Sequence, residues 1–203
     1  MDIKLFSLTK GDSDAFSGSK KLVADCAGSF TAEKENFKNF TSPKRMLLAV
    51  SQALRSADAA VIAVQISAYN SIKKTICQAF NAEIGQNDEI YNLLLPLYEK
   101  KTITRTALDN NSLFPNGADI FPVSDYKCCG FAVTAGAQSI IVLPLDGVKT
   151  GEVVFGSLYD FFAKRAGVEN TEELSKLKRA RLSARLVSAL KKDKARLAFA
   201  ALS

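Results

Sequence analysis

The chain has 203 residues, a formal net charge of +6, and 47% hydrophobic and 24% charged residues. These are the proportions of an ordinary globular domain with a filled core; no apolar run approaches the roughly 20 residues of a membrane span, and Met1–Lys10 is too polar for the core of a signal peptide. The absence of His removes Ser-His and Cys-His mechanisms and imidazole metal ligands, and four Cys without a CxxC pair argue against structural zinc.

The expected compartment is therefore the cytoplasm. In that reducing setting Cys26 and Cys77 read as small buried apolar residues. The carboxyl-terminal stretch holds a large share of the Lys and Arg, leaving the remainder close to balanced. That distribution argues against a nucleic-acid surface across the whole domain.

Ile3–Leu8 (IKLFSL) predicts a first strand, ended by a Thr-Lys-Gly-Asp turn. Ser17–Ala27 spaces Leu22, Val23 and Cys26 for one helical face, with Gly28 as a stop. Phe37–Phe40 is a short strand. Ser42 and Pro43 suit the N-cap and first position of a helix whose stripe is Met46, Leu47, Val50, Ala53 and Leu54. Ala59–Val64 (AAVIAV) is a continuous apolar run, as expected of a strand buried on both faces of a parallel sheet. Gln65–Ser71 reads as the connection that follows, and Ile72–Phe80 as a helix.

Asp88–Lys101 predicts a helix with Ile90, Leu93, Leu94 and Leu97 on its apolar side, kinked or divided by Pro96. Thr102–Asn111 is polar, and Leu113–Gly117 reads as a turn. Ala118–Val123 is a short extended piece, and Ser124–Lys127 a loop. Gly130–Thr134 and Ser139–Leu145 predict strands joined through Gly136 as a hairpin. Asp146–Gly151 is a Gly-bearing loop, Glu152–Ala166 a helix rich in Phe and Tyr, and Gly167–Asn170 a break. A long basic helix follows to Leu202. Strands alternating with helices give an α/β fold, a mainly parallel sheet flanked by helices in three layers. The expected division is 1–166 for this domain and 167–203 for a basic helical extension.

In an open α/β sheet, ligands bind outside the carboxyl ends of the strands. The candidate cleft is lined by Lys10–Asp14, Gln65–Asn70, Lys127–Gly130 and Asp146–Thr150. Within it, Asp12, Ser67, Asn70, Gly130, Asp146, Gly147, Lys149 and Thr150 are the candidate ligand residues. Lys149, Thr150 and Gly151 supply an ammonium, a hydroxyl and an amide suited to an anion; they suit a solvated turn and N-cap equally. Asp12, Asp14 and Asp146 are oxygen donors of the kind Mg²⁺ takes, or plain surface turn residues. Cys128-Cys129 reads as a pair of inert thiols, with only Lys127 nearby to lower a pKa.

The basic tail carries Leu174, Leu177, Leu182, Leu186, Ala189 and Leu190 at helical spacing among Lys and Arg. A membrane-surface or nucleic-acid helix has this pattern too, but the stripe is expected to pack on its own domain or on a partner helix, and the apolar ending Ala195–Leu202 suggests a buried end, an oligomer contact or a chain cut from a longer protein.

Asn111, Phe114, Pro115, Gly117, Ala118, Gly130, Phe131, Leu143 and Pro144 stand in an order and spacing that resemble the molybdopterin-binding domain family of molybdenum-cofactor biosynthesis. The version most similar is the amino-terminal domain of competence/damage-inducible protein A. Ala57-Asp58 before Ala59–Val64, and Ala79-Phe80, fit the same pattern. The likeness spans about Met1–Lys164. It implies the three-layer fold and, in turn, either molybdopterin binding or Mg²⁺-dependent hydrolysis of an ADP-ribose-type nucleotide diphosphate. The family's Gly-Gly-x-Gly-x-Thr-x-Asp-Asp loop is here Gln65-Ile66-Ser67-Ala68-Tyr69-Asn70, without Gly or carboxylate. Leu-Pro-Gly-x-Pro is here Leu143-Pro144-Leu145-Asp146-Gly147, and the Gly-Thr-Glu region is Thr9–Asp14. The expectation is a degenerate, non-catalytic member that binds a small anionic ligand, a nucleotide or pterin, or a protein partner.

Overall fold

The computed structural model describes residues 1–9, 11, 14–32, 35–123, 128–145 and 148–168, with the side chains of 15, 122, 123 and 148–153 outside that set. The chain divides into two compact units, Met1–Phe162 and Ala163–Ser203. Of the second only Ala163–Val168 is described, so the expected basic helix with its apolar stripe lies outside the described residues.

The first unit is built on a six-stranded sheet in the order β2-β1-β3-β8-β7-β6. Its strands are β1 (Ile3–Leu8), β2 (Lys38–Phe40), β3 (Ala59–Gln65), β6 (Asp119–Val123), β7 (Cys128–Ala135) and β8 (Gln138–Leu145). The first four in spatial order are parallel; β7 and β6 continue the sheet antiparallel. β3 is central and all of Ala59–Val64 is buried, as a run with no polar position requires. The β7–β8 hairpin turns at Gly136, whose φ of 59° lies where glycine carries no Cβ penalty.

Helices cover both faces. Phe6, Ile62, Val142 and Phe131 form one row across the sheet. They pack with Met46 and Val50 of α2 (Pro43–Ala53), Ile72 and Ile76 of α3 (Ile66–Ala79), Leu94 of α4 (Asp88–Glu99) and Leu108 of α5 (Arg105–Ser112). The other face, with Leu5, Val61, Ile141 and Ala132 in register, belongs to α1 (Asp14–Ala27) and α6 (Val148–Arg165). The Cys26 thiol of α1 reaches the Phe155 carbonyl of α6 at 3.8 Å. Fully burying each such aliphatic or aromatic side chain contributes roughly 1.5–3 kcal/mol.

Several elements depart from the sequence reading. No connection separates β3 from α3: Gln65 is at once the last strand residue and the N-cap, and Ile66 opens the helix. The stripe Tyr69, Ile72, Ile76 carries the helix back through the polar Ser67 and Asn70, because neighbours at i+3 and i+4 are buried together. Pro96 does not divide α4. The polar stretch after it folds as α5, capped by the Thr104 hydroxyl accepting from Ala107 N–H at 3.2 Å. Leu113–Pro115 is β5, paired antiparallel with β4 (Ile84–Gln86), and the turn proper is Asn116-Gly117. α1 begins three residues earlier than expected, at Asp14. The loop expected at Asp146–Gly151 is shorter, because α6 already begins at Val148.

Candidate functional site

Parallel strands deliver their helices to one edge. β1 leads to α1, β3 to α3 and β8 to α6, so three helix N-termini stand at the carboxyl edges of three adjacent strands. The first turns of α3 and α6 carry no acidic residue, whereas Asp14 stands in that of α1. Partial positive charge is therefore left uncompensated by their own first turns at the α3 and α6 ends of this edge. The antiparallel register brings the start of β7, at Cys128, beside the end of β8, at Leu145.

The loop after β1 is drawn toward β3 at this edge. The Thr9 hydroxyl accepts from Gly11 N–H at 3.0 Å. The Gly11 carbonyl in turn accepts from Gln65 Nε2 at 3.0 Å. With its side chain so engaged, Gln65 does not cap α3.

The candidate ligand residues fall into three groups. Ser67 is exposed in the first turn of α3. Asn70, half-buried one turn on, donates from Nδ2 to Asn111 Oδ1 at 3.0 Å, while its own Oδ1 is buried without a hydrogen-bond partner. Gly130 is buried within β7, where a Cβ would stand 2.7 Å from the Val142 carbonyl and 3.0 Å from Leu143 Cδ2. Its missing side chain is thus already filled by β8, and the residue serves strand packing. Lys149 and Thr150 belong to the first turn of α6, described in backbone only. Asp12, Asp146 and Gly147 lie outside the described residues. Among the described residues no group of three His, Cys, Asp or Glu is placed to hold a metal ion, and no helix is long and apolar enough to cross a membrane.

Asn70 leads into a cluster that the sequence reading missed. Lys73, 2% exposed, donates from Nζ to the Asn110 carbonyl at 2.6 Å. Asn110 lies in the last turn of α5, so the ammonium caps the negative end of that helix. The same Nζ stands 4.6 Å from the Phe114 ring centroid and 5.5 Å from that of Tyr69. The Tyr69 hydroxyl donates to the Cys129 carbonyl at 2.5 Å. The seam thus binds α3 to the end of α5, to β5 and to the start of β7. The signal for it was a Lys within the stripe Tyr69, Ile72, Ile76, Cys77, a core position of the helix.

Burial sets the electrostatics here. Desolvation lowers the Lys73 ammonium to about 8, opposed by the nearby thiols of Cys128, Cys77 and Cys129 and reinforced by Lys74. Burial pushes the Cys128 thiol up to about 12, Cys129 adding to the shift. Burial also raises the Cys77 thiol and holds the Tyr69 phenol well above its usual range. Cys128 thus carries its proton at neutral pH, as an inert thiol does.

No family model matches the chain, and no curated protein matches it. Among solved structures it is similar to the protein CinA, of unknown function, from Thermoplasma acidophilum. The TM-score is 0.62 at 10% sequence identity, over 79% of this chain and 96% of that one. It is also similar to MogA, with a TM-score of 0.43 and 11% identity, over 82% and 99% of the two chains. The architecture is that of the molybdopterin-binding-like α/β fold, the fold that the stretch around Asn111–Phe131 implies.

Proposed function

We propose that this chain is a cytoplasmic, non-catalytic binding module on the molybdopterin-binding fold, with a small anionic ligand, a nucleotide or pterin, at the carboxyl edge of β3 and β8. The observation that carries this reading is the junction of β3 and α3. A strand that passes into a helix with no residue between them leaves at this junction no glycine loop and no carboxylate pair to hold Mg²⁺ for the hydrolysis of a diphosphate. What remains at that place is an uncapped helix N-terminus, Ser67 and Asn70, which suit recognition of an anion rather than activation of water.

The test is a thermal-shift panel of ADP-ribose, nucleotides and pterins, each with and without Mg²⁺. A ligand at a hundred times its dissociation constant stabilises the fold by about 2.7 kcal/mol. Lys149→Ala is expected to weaken binding roughly tenfold, the loss of about 1.4 kcal/mol. A Mg²⁺-dependent release of phosphate-bearing product from ADP-ribose would overturn the non-catalytic reading and return Asp12, Asp14 and Asp146 as the candidate metal ligands. Silence across the panel would overturn the ligand reading and favour a protein partner, with the Leu174–Leu202 stretch as its first candidate contact.

A further inference from the structure

Lys73 is an ammonium buried with no carboxylate partner among the described residues. Ion pairs among the described residues include Lys4 with Asp2 and Glu35, and Arg105 with Asp109, whereas the bond of Lys73 goes to a neutral backbone carbonyl. Among the described residues the groups facing it are Tyr69, Lys74 and Cys77 from its own helix, the Asn110 carbonyl from α5, the Phe114 ring from β5, and Cys128 and Cys129 from β7. Apart from Lys74, each of these is neutral at pH 7 when its proton is in place. An uncompensated buried charge destabilises a fold, and an apolar side chain of similar length fits such a place at lower cost.

The location gives that charge a use. Lys73 follows the first residue of α3 by seven positions, a helical rise of about 10 Å. Asn70, one turn nearer the edge, bonds Asn111, the neighbour of the residue that accepts from Lys73. The helix therefore points its N-terminus at the carboxyl edge with a fixed positive charge behind it, inside a low-dielectric seam of two rings and three thiols.

We propose that Lys73 is the positioning charge of the anion site: it acts through α3 and Asn70, without touching the ligand, by holding the edge electropositive and the α3–α5 seam closed. This rests on the anion-binding reading above. At about 10 Å and an effective dielectric constant of about 20, one unit charge is worth roughly tenfold in the affinity for an anion.

The experiment is calorimetric titration with ADP-ribose, whose diphosphate diester keeps the same charge from about pH 7 to about pH 9.5. It is run on the wild-type chain, Lys73→Met and Lys73→Arg. The wild-type affinity is expected to fall about tenfold across that range, as the ammonium is lost around pH 8. Lys73→Met is expected to bind about tenfold more weakly at pH 7 and to show none of that fall; Lys73→Arg keeps the higher affinity at both ends. A purely structural lysine would leave the pH profile of the Met variant parallel to that of the wild type, and this result would overturn the proposal while leaving the anion site standing. Should the Met variant not fold, the wild-type profile against that of Lys73→Arg decides the matter: two parallel profiles overturn it. Failure of ADP-ribose to bind any of the three proteins would remove the diphosphate reading and this inference with it.

Discussion

β3 and α3 are consecutive in the chain and meet at a single residue, yet they bury different things. Every residue of β3 from Ala59 to Val64 is apolar and withdrawn from solvent. The inward face of α3 buries Ile72 and Ile76, and beside them a phenol and an ammonium. The strand contributes transfer free energy and shape, and its neutral side chains leave stability nearly indifferent to pH. The helix hides a charge that would be better solvated in water, and its hydrogen bonds to Asn110 and Cys129 fix the relation of α3 to α5, β5 and β7. Burial at the centre of the sheet is a matter of stability. Burial at the seam trades stability for a defined geometry and a local field.

The largest effect that would test this contrast is at the apolar row. Phe131→Ala, which empties a ring 1% exposed and in edge contact with Phe114, is expected to lower stability by about 4 kcal/mol, with the same loss at neutral and alkaline pH. Urea unfolding at several pH values checks it; a strongly pH-dependent loss would show that the two regions are not separable.

The next effect belongs to the seam. The folded ammonium of Lys73 titrates at about 8 against an ordinary value of 10.5. Between these values the unfolded chain binds more protons, so stability rises with pH; below the folded value both states are charged and the effect is flat. The stability of the wild type relative to Lys73→Met is expected to increase by up to about 3 kcal/mol from pH 8 to pH 10.5. Below pH 8 the Met variant is expected to be as stable as the wild type or more so. Parallel pH–stability curves for the two proteins would mean that Lys73 reaches water.

A smaller effect separates packing from ligation at Gly130. Gly130→Ala places a methyl 2.7 Å from a backbone carbonyl and is expected to cost about 2 kcal/mol of stability. At a temperature where the variant is folded, its affinity for any ligand of the edge is expected to be unchanged. A selective loss of affinity would put Gly130 back in the binding site.

Much of this architecture was legible in the residues. The Ser42-Pro43 start, the stripe of α2, the doubly buried β3 and the β7–β8 hairpin each follow from local patterns whose period matches their burial. α5 and the β4–β5 pair were not legible, because short polar segments carry little periodic signal and take their structure from what they pack against. The candidate site divides the same way. Ser67 and Asn70 do follow the carboxyl end of β3, but in the first turns of a helix rather than in the loop that the sequence suggests.

What the sequence by itself determined is the set of local preferences: which segments alternate, which are apolar throughout, where a cap or a glycine ends an element, and that no histidine chemistry is available. Tertiary structure alone decided that Gly130 is a close-packing residue, that Gln65 is tied to the Gly11 carbonyl, and that Lys73 meets the end of α5. Each of these depends on residues brought together from distant parts of the chain. Distances across such contacts, and the dielectric they create, are properties of the assembled core and leave no periodic trace in the chain.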